Sequence, residues 1–438
     1  SFPTRRSSDL AEGVKVYLNQ AGNSFAAPTI ITTLPVGTRH HQIQVADLLG
    51  RCTACLVWST GLASASRSPV RYVDLMAAGK PHLLTETKNN LGAITKVTYA
   101  PSTRFYLEDK AAGTPWLTRL PFPVHLVLQV ETWDAVSKSW FASTYRYRHG
   151  YFDGHEREFR GFAYVEQRDA ASYGISDMLT EQPANWDPEF EQPPVVTKTW
   201  YHTGAWLGRQ ELSTELAKEY YQPSWGPPKL DDTVLPPELP AGVTKLTTAE
   251  LREACRALRG QVLRQEVYAE DESADEDKPY SVTESNARIR MLQPRDGNRH
   301  AVFFVHPRES LQLHYERNET DPRATHELVL AVDDYGNALK TAQVAYPRRG
   351  TPTYTEQGKL WILATESSVF NSPEDEPTAT WYRVGVPIQT KTYELTLASG
   401  DTPPTMTAPF SVSSLETIFD SATEIQYHGT PGTSRGKP

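Results

Sequence analysis

Two cysteines, Cys52 and Cys55, have the C-x-x-C spacing that is typical of a redox-active dithiol or of half a zinc site. A structural zinc site needs two further ligands, for which the nearby His40 and His41 are weak candidates. The chain has 3 cysteines, too few for a disulfide framework. We therefore interpret the pair as two small residues packed near a β-turn, and expect neither a metal nor a catalytic cysteine here.

A second chemical pattern lies just upstream, at Asp47. Residues 11–60 alternate like a short β-unit and resemble an FG-GAP/VCBS repeat, the blade unit of integrin-like β-propellers, whose acidic loop binds calcium. Leu49, Arg51 and Cys55 occupy the positions of that loop's other ligands. Calcium takes oxygen ligands, and an arginine repels a dication. The resemblance therefore implies a degenerate calcium-type loop in a blade fragment, because one unit cannot close a propeller.

Two charged clusters could be mistaken for catalytic groups. Residues 156–160 mix Glu and Arg, and residues 270–277 are mostly acidic. Cross-strand charge pairing on a polar sheet face explains the first cluster. The second lacks the glycine and spacing of a calcium loop, so we predict a solvated hairpin loop. H-E-x-x-H and the phosphate- and dinucleotide-binding glycine motifs are absent, and we predict no catalytic residue and no cofactor.

Composition and charge narrow the function classes further. A net charge of −9 argues against nucleic-acid binding, which needs a basic surface. No apolar run approaches the roughly 20 residues of a membrane-spanning helix, and we expect no direct membrane insertion. No signal peptide is visible at the start. The 21 Tyr and 10 Trp favour strands, and 33 Pro with 26 Gly favour many turns.

The elements that must position these residues are mainly strands. Apolar and polar residues alternate with the period of two that places one sheet face on a core. The predicted strands lie around residues 124–130, 145–148, 159–165, 195–202, 262–268, 287–291, 311–315, 328–332 and 338–346. Turns are predicted at Asp153-Gly154 and at residues 333–337. The prediction is therefore a mainly β fold of curved antiparallel sheets.

A few short helices complete the prediction. Thr247 and Glu250 form a capping-box pattern at the start of a helix over 248–259, which Gly260 ends. Leu212, Leu216 and Tyr220 have helical spacing within residues 181–245, a stretch whose many prolines predict connection rather than core. The region 401–438, rich in Pro, Thr, Ser and Gly, predicts a flexible tail with a short helix around 414–422.

An ordered series of short motifs resembles one family, the B component of the insecticidal toxin complexes (Tc toxins, TcdB/TcaC-like), whose upstream part is shared with SpvB-type proteins. The motifs are residues 45–50 (VADLLG), 71–76 (RYVDLM), 80–84 (KPHLL), 89–93 (NNLGA), 99–103 (YAPST), 149–154 (HGYFDG), 157–162 (REFRGF), 252–260 (REACRALRG), 292–295 (LQPR), 298–304 (NRHAVFF) and 314–318 (HYERN). Each motif alone is weak evidence for the family, but the motifs follow one another in the same order as in the family. By this resemblance, residues 61–180 correspond to its middle/N-terminal region and 246–400 to its middle/C-terminal region.

The resemblance implies a non-catalytic structural role. In this family the B component and the C component, an Rhs-repeat protein, form a hollow β-sheet cocoon around an unfolded cytotoxic segment. A propeller docks the cocoon onto the pore-forming A component. We therefore expect both components as partners, and secretion within the toxin complex. Faces that carry Arg146, Arg148, Arg288 and Arg290 would be polar enough to line the cavity.

The sequence leaves two other functions open. An Rhs/YD-type cell-surface or wall-associated adhesin would use the same sheet for display, and an enzyme would need a carboxylate pair that nothing singles out.

Residues 1–10 match the translation of a common sequencing adapter, so we expect an assembly artefact and a chain that continues upstream. We also expect the isolated segment 11–400 to be poorly soluble, because unpaired sheet edges promote association.

Overall fold

The computed structural model describes most of the chain as two compact units. The described residues are 14–20, 22–32, 41–169, 183–185, 187, 189, 192–206, 212–227, 229–230, 238–378, 380–425 and 436–437. Unit 1 comprises Ser1–Pro115 and Leu120–Asp134, and unit 2 comprises Trp116–Arg119 and Ala135–Pro438. The adapter-like residues 1–10 lie outside the described residues.

Unit 1 consists of small antiparallel sheets and one helix. Strands β1 and β4 pair, β2 and β3 form a hairpin, β5–β6–β7 form one sheet and β8–β9–β10 lie side by side. The elements are β1 (Val14–Val16), β2 (Asn19–Gln20), β3 (Ser24–Phe25), β4 (Thr29–Ile31), β5 (His41–Ala46), β6 (Cys55–Thr60), β7 (Val70–Asp74), β8 (Glu86–Lys88), β9 (Ala93–Pro101), α1 (Ser102–Ala111) and β10 (His125–Asp134). The third strand of the β5–β7 sheet therefore lies beyond residue 60, and the blade fragment stays a prediction.

Unit 2 is built on long strands that follow one another across one antiparallel sheet in chain order, from β11 to β20. They are β11 (Ser139–Asp153), β12 (Glu158–Asp169), β13 (Val195–Tyr201), β14 (Val262–Ala269), β15 (Ser281–Gln293), β16 (Val302–His314), β17 (Arg323–Val332), β18 (Ala338–Ala345), β19 (Trp361–Phe370) and β20 (Val386–Glu394). A short parallel pair, β21 (Thr423–Glu424) and β22 (Gly436–Lys437), follows. The predicted mainly β fold with a few short helices is confirmed.

The helices of unit 2 are short. They are α2 (Leu212–Leu216), which continues into a 3-10 turn over Ala217–Glu219, α3 (Thr248–Ala257), α4 (Ser372–Asp375) and α5 (Val412–Ser421). The predicted capping box is present at the start of α3, where Thr247 accepts from the Glu250 amide and Glu250 accepts from the Thr247 amide. Gly260 follows α3 with a φ of 85°, as a helix-ending glycine requires.

The main core of unit 2 lies on one face of the sheet, which we call the covered face. Side chains at alternate positions of β15 to β20 are buried there against α5 and the segment before it. They include Leu313, Leu328, Val344 and Ile362, which pack with Leu415 and its helical neighbours. The residues that lie between these buried positions point to the other face, because successive side chains of a strand alternate between the two faces.

The described parts of the predicted connection and tail contain buried residues. Within 181–245, the predicted strand and helix are present as β13, which pairs with both β12 and β14, and α2, and Leu216 and Leu230 are buried in the core. Within 401–425, Phe410 and Phe419 belong to the main core. In both places, prolines and hydroxyl residues form irregular segments next to the helices and strands, but the apolar residues of these regions still pack on the sheet.

Glycine is required where two turns meet neighbouring elements. Gly204, just after β13, has a φ of 70°, and a Cβ there would lie 3.0 Å from the carbonyl oxygen of Cys255 in α3. Gly336 has a φ of 92° in the turn between β17 and β18, and a Cβ would lie 2.7 Å from the Phe304 ring. The predicted turn at residues 333–337 is therefore confirmed, and Asp333 closes it by accepting from the Asn337 amide at 2.8 Å.

Candidate interaction surface

His149, in the most distinctive sequence motif, is positioned on β11 with a φ of 57° and a fully buried ring. Its Nδ1 accepts from the Leu117 amide at 3.0 Å, so the ring proton lies on Nε2, which is 2.9 Å from Glu219. Burial raises the pKa of Glu219, but the hydrogen bond from His149 and the charge of Arg148 outweigh it and lower that pKa. Both ring nitrogens are occupied, so His149 holds two loop segments on the sheet and has no lone pair left for catalysis.

His326 on β17 is a second buried histidine, and it too has partners at both nitrogens. Its Nδ1 lies 3.0 Å from the Tyr346 hydroxyl, and its Nε2 lies 3.1 Å from Glu309. Tyr346 also accepts from the Phe410 amide at 3.0 Å. Burial raises the pKa of Glu309, but hydrogen bonds from His326 and Asn286 lower it below its usual 4.5. This chain of hydrogen bonds fixes the segment that leads into α5.

A buried ion cluster occupies the covered face between β14 and β15. The Arg264 guanidinium lies 2.6 Å from Glu266 and 2.9 Å from Glu284. The backbone amides of Tyr221 and Leu230 donate to the two carboxylates. Because every group in the cluster has a partner, it attaches the segment after α2 to the sheet. A paired guanidinium between two carboxylates leaves no free acid–base couple.

The charged residues 156–160 prove to be structural, in a different arrangement from the predicted one. Arg160 is buried, pairs with Asp153 across the β11–β12 hairpin at 2.8 Å and donates to the Gly204 carbonyl. Glu158 pairs with Arg256 and Arg259 at and just after α3. The expected cross-strand pairing therefore holds at Arg160, but a solvent-facing location does not. The acidic run 270–277 lies between β14 and β15, where Asp271 binds Arg317 at 2.5 Å.

The residues considered for metal binding are not brought together. Asp47 accepts from the Arg51 and Cys52 amides and so closes its own turn. Cys55 is buried in β6, and burial raises the pKa of the Cys52 thiol to about 11. His40 lies outside the described residues. Among the described residues no group of three or more His, Cys, Asp or Glu side chains could hold a metal ion.

Polar side chains cover the other side of the β14–β20 sheet, which we call the open face. They form rows across the strands, because the register places them opposite one another on successive strands. One row is Ser285, Ser310, Glu327, Gln343 and Leu363. Ser285 donates to Ser310 at 3.1 Å, and Gln343 donates to Glu327 at 3.4 Å.

Two further rows flank the first. One comprises Thr199, Gln265, Thr283, Gln312 and Thr325. The other comprises Val329, Thr341, Thr365 and Thr392, whose last two hydroxyls are 3.4 Å apart. Most of these side chains are neutral hydroxyls or amides, which offer both donors and acceptors.

The open face encloses a depression of about 720 Å³. Its floor includes Ser310, Gln343 and Thr365, and the segment Gly260–Val262 after α3 forms one side. Leu258 buries Ala287 and Ile289 beside it, so α3 covers that end of the face. No lysine, arginine, histidine or aromatic residue is among the described residues that line the depression.

The arginines predicted to line a cavity lie elsewhere and are already paired. Arg148 contacts Glu219 at 3.4 Å, Arg288 contacts Glu238, and Arg290 contacts Asp334 at 2.8 Å. Arg146 also has a partner. Sequence reasoning missed the neutral rows because their members, such as Ser285 and Ser310, meet only once the strand register is known.

Two family models match the chain. One describes the insecticide toxin TcdB middle/N-terminal region and matches residues 19–204, and the other describes its middle/C-terminal region and matches residues 253–380. Together they cover more than half of the sequence. A search of curated proteins finds no match.

Solved structures of toxin complexes are similar over most of the chain. The crystal structure of TcdB2-TccC3 is 31% identical with a TM-score of 0.72, over 87% of this chain and 18% of that chain. The Photorhabdus luminescens Tc holotoxin pore is 31% identical with a TM-score of 0.73, over the same shares. TcdB2-TccC3-TEV is 30% identical with a TM-score of 0.73, over 92% and 19%. The chain thus spans about a fifth of the length of these relatives. No helix among the described residues is long and apolar enough to cross a membrane.

Proposed function

Because the chain belongs to the insecticide toxin TcdB family, we propose that it is a non-catalytic wall segment of a Tc-toxin B component. Its sheet would form part of the β-sheet cocoon that encloses a cytotoxic segment of the C component. One observation carries this proposal: between β15 and β20 the sheet is covered by α5 and the core on one face, and on the other face it bears mostly hydroxyls and amides around an open depression. Such a layer separates two spaces and needs no reactive group.

The state of the polar groups supports the absence of catalysis. His149, His326 and the Arg264 cluster are buried, and their hydrogen-bonding atoms are used to hold chain segments on the sheet. A general acid or base must instead reach a substrate with a free proton or lone pair. Hydrolase assays on the purified chain test this part. A turnover that is abolished by one substitution, such as Glu327→Gln on the open face, would overturn it.

The proposed partners are the C component and, through a propeller, the pore-forming A component. The printed descriptions of the similar structures, a TcdB2-TccC3 complex and a Tc holotoxin pore, support these kinds of partner. We also propose that the protein is secreted within the complex, and that residues 11–60 are a blade fragment at the propeller side. Nothing in the comparisons supports the adhesin alternative.

Protection of the enclosed segment tests the wall function. The parent B component that contains this chain is co-expressed with its C component, and limited trypsin digestion of the C-component segment is followed over time. We expect protection in the unsubstituted complex and its loss in Leu415→Asp, which places a charge in the covered core. Thr417→Asp, on the exposed side of the same helix, should keep the protection. Digestion at the same rate with and without the B component would overturn the proposal.

A further inference from the structure

We propose that the open face is turned towards the enclosed polypeptide, and that its depression seats an extended, unfolded segment through hydrogen bonds to peptide groups. This inference rests on the proposed wall function and names the surface and the ligand chemistry. The covered face is unavailable for this role between β15 and β20, because α5 and the segment around Phe410 already occupy it.

The chemistry of the rows matches a peptide backbone. Each peptide unit of an unfolded chain carries one N–H donor and one C=O acceptor, whatever its side chain. Ser310, Gln343 and Thr365 can each donate and accept, and they line the floor of the depression. Each hydrogen bond of this kind replaces one with water and adds little net affinity, so the contact is weak and independent of sequence. A segment held in this way can leave again.

Other ligand classes fit the depression less well. Nucleobases bind on aromatic side chains and phosphates on cations, and the described lining has neither. Extensive apolar burial would instead favour retention of the segment over its release. Hydroxyls and amides interrupt the aliphatic side chains of the lining, such as Val329 and Leu363. Two carboxylates also line the depression: Glu327 is in contact with the Gln343 amide, and Glu309 with His326.

The depression is a trough that begins beside α3 and runs across the strands. Gly260–Val262 form one side, and Leu363 and Thr392 on β19 and β20 lie at the other end of the lining. The strands between them run antiparallel, so the trough crosses β15 to β20 rather than following one strand. An extended segment along this trough would cross strands about 4.7–4.9 Å apart. It would meet a hydroxyl or an amide on β15, β16, β18, β19 and β20, and the Glu327 carboxylate on β17.

Site-specific photocrosslinking in the assembled complex tests the inference. A benzophenone amino acid replaces Gln343 in the depression, Gln265 on the same face outside it, or Thr417 on the outer side of α5. Crosslinks to the C-component segment are quantified by mass spectrometry, with Thr341 as a second depression site in case Gln343 does not tolerate the probe. We expect a yield at the depression sites at least several-fold above that at Gln265, and none at Thr417.

The outcomes separate the inference from the function on which it rests. Crosslinks from Thr417 but not from the depression would show that the covered side faces the segment and would overturn the inference. Equal crosslinking yields at Gln343 and Gln265 would show that the segment is not seated in the depression, and would overturn that part of the inference. Failure of the unsubstituted chains to form a complex would instead overturn the proposed wall function.

Discussion

The two faces of the unit 2 sheet use the same strands for opposite purposes. On the covered face, alternate residues of β16 to β19 are apolar and packed against α5, and the charged residues there are paired and buried. On the open face, most of the intervening residues are hydroxyls and amides that touch their cross-strand neighbours, with Glu327, Val329 and Leu363 among them. Stability is therefore concentrated on one side of the sheet, which leaves the side chains of the other side free to contact a partner.

The largest expected effect is at the buried ion cluster. Arg264→Met leaves Glu266 and Glu284 buried without their cation, which should destabilise unit 2 by about 3–5 kcal/mol. Arg288→Met is the matched control on β15, since its pair with Glu238 is partly exposed and should contribute about 0–1 kcal/mol. Denaturant unfolding followed by tryptophan fluorescence measures both. Equal midpoints would show that the buried cluster does not stabilise the covered face.

Next in size is the helix that seals the covered face. Leu415 is fully buried, so Leu415→Ala should cost about 2–5 kcal/mol through lost burial and a cavity. Thr417→Ala on the exposed side of α5 should change stability by less than about 0.5 kcal/mol. The same unfolding assay compares the two variants. If Leu415→Ala were as stable as Thr417→Ala, α5 would not be part of the core.

A smaller effect is expected at the hydrogen-bond chain that fixes the entry to α5. Tyr346→Phe removes the acceptor of the Phe410 amide and the contact to His326, at a cost of about 1–3 kcal/mol. Hydrogen exchange should speed up at Phe410 before it does elsewhere in the core. Tyr382→Phe, at an exposed tyrosine, is the control and should leave exchange unchanged. Unchanged protection at Phe410 in Tyr346→Phe would rule out this role.

The smallest effect is expected on the open face. Thr365→Ala and Thr392→Ala should each change stability by less than about 0.5 kcal/mol, and their coupling should be about 0.2–1 kcal/mol at most. A double-mutant cycle measures the coupling. A loss comparable to that in Leu415→Ala would show that the open face also carries stability, and would remove the distinction between the two faces.

Much of the fold follows from local patterns. The alternation of Leu311 and Leu313 with Gln312 predicts one buried and one polar face, and all three lie as predicted. Thr247 and Glu250 predict the start of α3 because a capping box is satisfied within four residues. Leu212 and Leu216 likewise predict α2, since helical spacing is local.

What could not be predicted depends on contacts between distant residues. Residues 401–425 have a linker-like composition, and the burial of Phe410 and Phe419 depends on a sheet face that β15 to β20 form earlier in the chain. The partners of Arg264 lie on two strands and one loop. The neutral rows have the composition of any solvent-facing strand, so only the register distinguishes them. The resemblance supplied the family, but not which face is open.

Chemical labelling of the two faces in the assembled complex tests the central claim most directly. Gln343→Cys and Thr417→Cys are each introduced into the parent B component, which is assembled with its C component and treated with a maleimide carrying a large polyethylene glycol. We expect Thr417→Cys to be labelled in the intact complex, and Gln343→Cys to be labelled only after denaturation, above the background of Cys52, Cys55 and Cys255. Equal labelling of both positions in the intact complex would contradict the account, because the open face would then not be the enclosed one.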